Sequence, residues 1–283
     1  MKMPTIRLRE YLNQASVTEK SIIDYILLNP ESVSRMTIHK LAELTYSSAS
    51  SIIRLCKKNG YDGFKEFSKA LVYELAARKA HQVKPVDEIT RSDSTQEIID
   101  KVTQKNILSL EDTKNLLDAE EVKRCVDLLH RSEILCLFGI GSSLLVAKDA
   151  QLKFLRINKK TYVSDDWHTQ LLTATNMSPN DLGIIISYSG QTHEMIECAK
   201  AIREAGAESI SITRFGNNPV KSLCKHHLYV AANESLFRSG AMSSRISLLN
   251  VIDILYTGYN NRQYDKSLEL LAKTHIRKEP TLD

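Results

Sequence analysis

Apolar residues recur along this chain in two different rhythms, and the change between them divides it. Through the first eighty residues the spacing is helical. Ile22, Ile23, Ile26 and Leu27 mark one face of a helix that Ser16–Glu19 opens with capping-box spacing and Asn29-Pro30 ends. Thr37 is placed to cap a short helix through Leu44, with Ile38, Leu41, Ala42 and Leu44 as its apolar positions, and Thr45–Ser48 makes a turn. From Ser48 to Asn59, residues Ala49, Ile52, Ile53 and Cys56 fall at i, i+3, i+4 and i+7 and are expected to face inward. That leaves Ser48, Ser50, Ser51, Arg54, Lys57 and Lys58 outside. Phe64, Phe67, Leu71 and Leu75 carry one more helix to about Lys79.

The stretch His81–Thr95 is polar, contains Pro85 and loses periodicity, so it reads as a linker between a domain at 1–80 and a second at 96–283. Two helices lead into the second domain, marked by Ile98, Val102 and Leu108 and then by Val122, Val126 and Leu129. After them the rhythm becomes short apolar runs. Strands are expected at Ile134–Phe138, Lys160–Ser164, Leu182–Ile186, Glu208–Thr213 and His227–Ala231. They alternate with helices at Leu144–Ile157 and Thr192–Ala205, and a last helix runs over Ser239–Tyr259. The fold class this predicts is an all-α N-terminal domain followed by an α/β domain with a doubly wound parallel sheet.

Two of these strands end in chemistry. Leu182–Ile186 runs into Ser187, Ser189, Gly190, Gln191 and Thr192, and Ile134–Phe138 runs into Gly139, Ile140, Gly141, Ser142 and Ser143. Each is a hydroxyl-rich, glycine-containing turn at the start of a helix, whose free N–H groups attract anions at the carboxyl end of a strand. Serine and glycine also make ordinary turns. The third glycine of a dinucleotide fingerprint is missing, because its position falls on Leu144, and no G-x-x-x-x-G-K-[ST] string occurs, so nucleotides are disfavoured.

Charge separates the halves. Residues 1–80 hold 13 Lys+Arg against 8 Asp+Glu, and the remainder 25 against 26. A surplus of this size permits a nucleic-acid partner without requiring one. Cys56, Cys125, Cys136, Cys198 and Cys224 are odd in number and show no C-x-x-C pairing, which argues against disulfides and zinc. His226 and His227 are adjacent on a strand and point to opposite faces, so no metal site is expected; nor is a cofactor. Nothing resembles a signal segment or a membrane span, and a cytoplasmic location is expected.

The helix pair around Thr37–Asn59 has the form of a helix-turn-helix reader of the major groove. Small hydroxyls stand at the start of its second helix, Arg54 is placed for guanine edges or phosphate, and Lys57 and Lys58 for phosphate. An ordinary helical subdomain with a solvated basic face has the same pattern. Met36–Phe67 resembles the N-terminal helix-turn-helix of RpiR/MurR-type phosphosugar regulators, including the run Arg54–Phe64 that ends G-Y-D-G-F; Asn59 departs from a usual leucine, at a helix end where a capping role suits it. The resemblance implies DNA contacts from Thr37, Ser48, Ser50, Ser51, Arg54, Lys57 and Lys58.

G-I-G-S-S at Gly139–Ser143 and S-Y-S-G-Q-T at Ser187–Thr192, about fifty residues apart, resemble the sugar isomerase (SIS) phosphosugar-binding domain. That implies a flavodoxin-like sheet, with sugar phosphate held by Ser142, Ser143, Ser187, Ser189, Gly190, Gln191 and Thr192, and with His168 and Glu197 lining the same pocket. Arg245, on the last helix, is a further candidate for charge-assisted bonds to phosphate, or else forms a surface ion pair. Together the resemblances imply a regulator, expected to be a repressor of sugar or amino-sugar catabolism genes. Its expected partners are an inverted-repeat DNA operator, a second copy of itself or a higher homo-oligomer, and a sugar phosphate. An N-acetylated amino-sugar 6-phosphate leads, with a simple hexose phosphate close behind. The rival functions are a SIS-type sugar-phosphate isomerase and a regulator that acts through protein contacts alone.

Overall fold

The computed structural model describes residues 3–80, 89–232 and 241–276. Two compact units are present: Met1–Leu116 with Arg214–Gly216 and Ala231–Ser235, and Leu117–Thr213 with Asn217–Val230 and Leu236–Asp283. The first is helical: α1 (Pro4–Tyr11), α2 (Val17–Leu28), α3 (Pro30–Val33), α4 (Ile38–Leu44), α5 (Ala49–Lys58), α6 (Phe64–Ala80) and α7 (Thr95–Leu116). The sequence boundaries assign α7 to the sheet domain, and the first eight residues of the expected linker lie outside the described residues.

The core of the first unit is built by the residues whose spacing predicts it: Ile22, Ile23 and Ile26 from α2, Leu41 from α4, Ile52 and Cys56 from α5, and Phe67 and Leu71 from α6. Two positions differ. Leu55 is buried in α5 whereas Ile53 is 37% exposed, because the helix turns its apolar stripe further towards Leu55 than the i, i+3, i+4, i+7 template places it. Leu44 is likewise exposed, standing at the helix end where the chain turns away. The α1 helix has no counterpart in the pattern reading; it starts on Pro4 and buries Ile6, Leu8 and Tyr11.

Polar groups hold the ends of these helices. Ser16 and Glu19 form both bonds of the capping box on α2, and Glu19 also accepts from Tyr11 Oη at 3.3 Å and Lys58 Nζ at 2.7 Å. Burial pushes the Glu19 carboxyl up, but the bonds from Lys58 and Ser16 outweigh it and hold the group below its ordinary value. Asn59 sits fully buried at the end of α5, where its Nδ2 donates to Leu55 O at 2.9 Å. The amide is a second donor to Leu55 O, which the backbone N–H of Asn59 also reaches at 3.2 Å.

The second unit alternates strand and helix: α8 (Ala119–Arg131), β1 (Leu135–Phe138), α9 (Ser142–Arg156), β2 (Thr161–Tyr162), α10 (Trp167–Thr175), β3 (Leu182–Ile186), α11 (His193–Glu204), β4 (Glu208–Arg214), α12 (Pro219–Leu223), β5 (His226–Val230), α13 (Met242–Arg262) and α14 (Tyr264–Lys273). Strand order is β2-β1-β3-β4-β5, and the pairs β1–β2, β1–β3 and β3–β4 are parallel. This is the flavodoxin-like order, doubly wound. Alternate residues of β1 and β3 serve opposite faces. Leu135, Leu137, Leu182, Ile184 and Ile186 pack with α8, α9 and α13, while Cys136, Phe138 and Ile185 pack with α10, α11 and α12. The second strand is shorter than expected, two residues rather than five. The start expected for the last long helix, Ser239, lies outside the described residues, and α14 after it is an element the pattern reading lacks.

Glu19→Gln is expected to destabilise the protein by roughly 1–2 kcal/mol, since it removes a charge-assisted bond and weakens a cap together. The folded-state pKa of Glu19 is depressed, so this contribution is complete above the ordinary value of 4.5 and is lost as pH falls through the lower folded value. Urea unfolding of both proteins at neutral and acid pH measures it; an equal difference at both would refute it.

Candidate functional site

Two places carry chemistry. In the first unit, the hydroxyl of Thr37 accepts from Lys40 N at 3.2 Å to start α4, and Ser48 Oγ accepts from Ser51 N at 3.1 Å to start α5. Between them Tyr46 adopts a left-handed φ of 48° and is 98% exposed. Ser50, Arg54 and Lys57 are exposed, and Arg54 Nη2 donates to Ser51 Oγ at 3.3 Å. Lys58 differs from the other cations of the helix. Its bond to Glu19 raises its pKa, while half of its side chain stays exposed.

In the second unit the two hydroxyl-bearing turns lie side by side. They leave the carboxyl ends of β1 and β3, which are neighbouring parallel strands with Phe138 opposite Ile185. Strand β1 sends its chain to α9 on one face and β3 sends its chain to α11 on the other, so the two connections part at the position where a doubly wound sheet has its ligand crevice.

The first turn is shaped by Gly141, whose φ of 60° and ψ of −125° suit glycine, and is closed by Ser143 N donating to Ile140 O at 3.2 Å. Gln170, buried on α10, fastens its base: Gly139 N donates to Gln170 Oε1, and Gln170 Nε2 donates to Gly139 O and to Ser164 O. Ser142 opens α9, and its buried Oγ has no hydrogen-bond partner among the described residues. A buried hydroxyl left so costs free energy that a ligand oxygen placed there recovers.

The second turn begins at Ser187, whose N donates to Ile212 O at 3.1 Å and whose Oγ lies 3.4 Å from Thr192 Oγ1. Gly190, at φ 63°, donates to Ser187 O at 3.0 Å, and Gln191 N donates to Ser189 Oγ at 3.2 Å. Thr192 is the N-cap of α11 yet makes no capping bond with its side chain. Its hydroxyl faces Ser187, which leaves the positive end of α11 available to an anion.

The remaining candidates stand further out. His168 is exposed on the first turn of α10, after edge strand β2 at the same end of the sheet. Glu197 lies one turn into α11 and accepts from Lys200 Nζ at 2.8 Å, which holds the carboxyl below its ordinary range. Arg245 is half-buried in the first turn of α13, which packs on α8 and α9, and bonds neither turn among the described residues. The structure thus sets the turns that carry Ser142, Ser143 and Ser187–Thr192 at adjacent strand ends, and among the described residues it does not bond His168, Glu197 or Arg245 to them. Gln170 and Asn218 are absent from the sequence reading. An Asn-Pro step at a helix start is the signal that marks Asn218, whereas nothing local marks Gln170.

The neighbouring histidines face apart. His226 Nδ1 lies 2.8 Å from Glu121 Oε1, whereas His227 Nδ1 lies 3.1 Å from Ser211 Oγ. Glu121, Cys125 and His226 form a group of metal-type donors, with Glu121 also bonded to Arg124. All five cysteines are buried and free, and burial pushes each thiol up to about 12. No described helix is long and apolar enough to cross a membrane.

Residues 5–78 match the helix-turn-helix domain of the rpiR family, and residues 128–258 match the SIS domain. An uncharacterized HTH-type transcriptional regulator of Caldanaerobacter subterraneus is 35% identical over 268 residues, 94% of each chain. The uncharacterized HTH-type transcriptional regulator YbbH of Bacillus subtilis is 34% identical over 91% of this chain and 90% of its own. Among solved structures, the Vibrio vulnificus NanR protein complexed with ManNAc-6P covers 96% of both chains at 28% identity and a TM-score of 0.59. The sugar isomerase domain of an RpiR transcription factor from Sphaerobacter thermophilus shares the fold at 21% identity and a TM-score of 0.58, over 63% of this chain and 98% of that one. With relatives of that identity across nearly its whole length, this chain belongs to the RpiR family of helix-turn-helix transcriptional regulators that carry a SIS domain.

Proposed function

We propose that the protein represses sugar or amino-sugar catabolism genes, that a sugar phosphate bound between the turns after β1 and β3 alters its hold on DNA, and that it does so without turning the sugar over. The observation that carries this reading is the pairing of β1 with β3, which sets two hydroxyl-bearing turns in one crevice at the positive end of α11. Ser142, Ser143, Ser187, Ser189, Gly190, Gln191 and Thr192 hold the phosphate and the near part of the sugar. His168 and Glu197 face the sugar once it is seated, and Arg245 is a further contact for its charge. An N-acetylated amino-sugar 6-phosphate is the leading ligand, supported by the ManNAc-6P in the similar NanR structure.

On the DNA side, Ser48, Ser50, Ser51 and Arg54 enter the major groove and Thr37, Lys57 and Lys58 meet phosphates, Lys58 from its place beside Glu19. Two copies of the chain reading an inverted repeat suit the exposed apolar row of Leu145, Leu152 and Leu155 on α9, which a second copy would cover. A hundredfold preference of the sugar phosphate for one arrangement of the pair supplies about 2.7 kcal/mol, enough to change operator binding by the same factor.

Ser189→Ala, and equally Ser187→Ala or Thr192→Ala, is expected to weaken sugar-phosphate binding by roughly 1.5–3 kcal/mol, the worth of a bond to a charged group, and to leave DNA binding without ligand intact. Calorimetry with a panel of hexose and amino-sugar 6-phosphates measures it, and unchanged binding by Ser189→Ala would refute the assignment of this turn. Arg54→Ala is expected to do the converse, costing roughly 1–3 kcal/mol at the operator while sugar phosphate still binds. Lys57→Ala should lower the salt slope of DNA binding by about 1. Fluorescence anisotropy against salt reads both, and an unaltered operator affinity in Arg54→Ala would remove that residue from the interface.

A further inference from the structure

We propose that Asn218 is the positioning residue that holds the Ser187–Thr192 turn in its anion-accepting shape. The inference rests on reading that turn as the phosphate site. Asn218 is 4% exposed and lies just past β4, the strand next to β3. Its side chain is fixed from two directions: Nδ2 donates to Thr213 Oγ1 at 3.1 Å, at the end of β4, and Oδ1 accepts from Lys221 N at 2.8 Å as the cap of α12.

Held so, the carboxamide lies flat against Gly190. A Cβ added to Gly190 would run into Oδ1, Cγ and Nδ2 of Asn218 together. The helix that Asn218 caps then returns a bond to the same glycine, Val220 N donating to Gly190 O at 3.2 Å. Together with Gly190 N on Ser187 O and Ser187 N on Ile212 O, this pins the turn on both sides.

The consequence is preorganisation. An anion bound by amides and hydroxyls of a short turn is held tightly only if those donors already converge, since ordering them at the moment of binding subtracts from affinity. Gly190 is therefore glycine for two reasons, its positive φ and the amide packed on it, and Asn218 transmits the position of β4 and α12 to the turn without itself needing to touch the ligand.

Asn218→Ser keeps a side chain that caps α12 but removes the amide from Gly190. In the ligand-free protein it is expected to raise hydrogen exchange across 187–192 with the melting temperature nearly unchanged. It is also expected to weaken sugar-phosphate binding about tenfold, the scale on which supporting partners tune a bound ion. Asn218→Asp keeps the shape and the cap but places a negative charge beside the turn. It should leave exchange near the wild-type level while weakening the sugar phosphate in a salt-dependent way, a result that a purely structural role would not produce.

Unchanged exchange and unchanged affinity in Asn218→Ser would overturn the inference while wild-type binding kept the site. Faster exchange with unchanged affinity would overturn it as well. If the wild-type protein bound no member of the 6-phosphate panel, the site itself would be wrong and this role would fall with it.

Discussion

The parallel pairing of β1 with β3 is the constraint on which the rest of the second unit depends. The two strands are far apart in sequence, with α9, β2 and α10 between them, yet their carboxyl ends lie side by side. Because the connections from them cover opposite faces of the sheet, they diverge at the point where sheets of this kind have their ligand crevice. At those turns the buried Ser142 Oγ has no hydrogen-bond partner among the described residues. A doubly covered sheet is buried on both faces, so the strand ends are where polar groups can meet a small ligand without disrupting the core.

Rigidity around that crevice comes from side-chain amides. Gln170 closes both the N–H and the carbonyl of Gly139, and Asn218 joins β4 to α12 across Gly190. Each is almost fully buried, so its bonds are made away from water, and an amide left half-paired there would cost more than an apolar replacement.

The helical unit solves a related problem at the surface. A helix that reads DNA must expose small and charged residues along one side, so its hold on the bundle rests on a narrow stripe. Ile52, Leu55 and Cys56 supply that stripe. The Glu19–Lys58 bond and the Asn59 amide fix the far end of α5, opposite the end that carries Ser48 and Ser50. Of the three exposed cations on the helix, Lys58 thereby also braces the fold.

Much of this was legible in the amino-acid order, because helix caps, apolar periodicity and turn chemistry act over a few residues. The capping box at Ser16, the caps at Thr37 and Ser48, the buried runs of β1 and β3, and the hydroxyl-rich turns after them are all short-range features, and the structure contains them with ends shifted by a residue or two. What local order did not decide was contact across distance. The exchange of Ile53 for Leu55 in the core depends on how α5 is rotated against α2 and α6. The tie of Lys58 to Glu19 spans 39 residues, and the seating of Asn218 on Gly190 depends on β4 lying beside β3. Sequence alone marked the capped helices, the buried strands and the hydroxyl-rich turns after them, though not α1 or α14. Only the packed chain decided which turns share a crevice and which polar side chains hold them, since that follows from strand order and burial rather than from any neighbour in sequence.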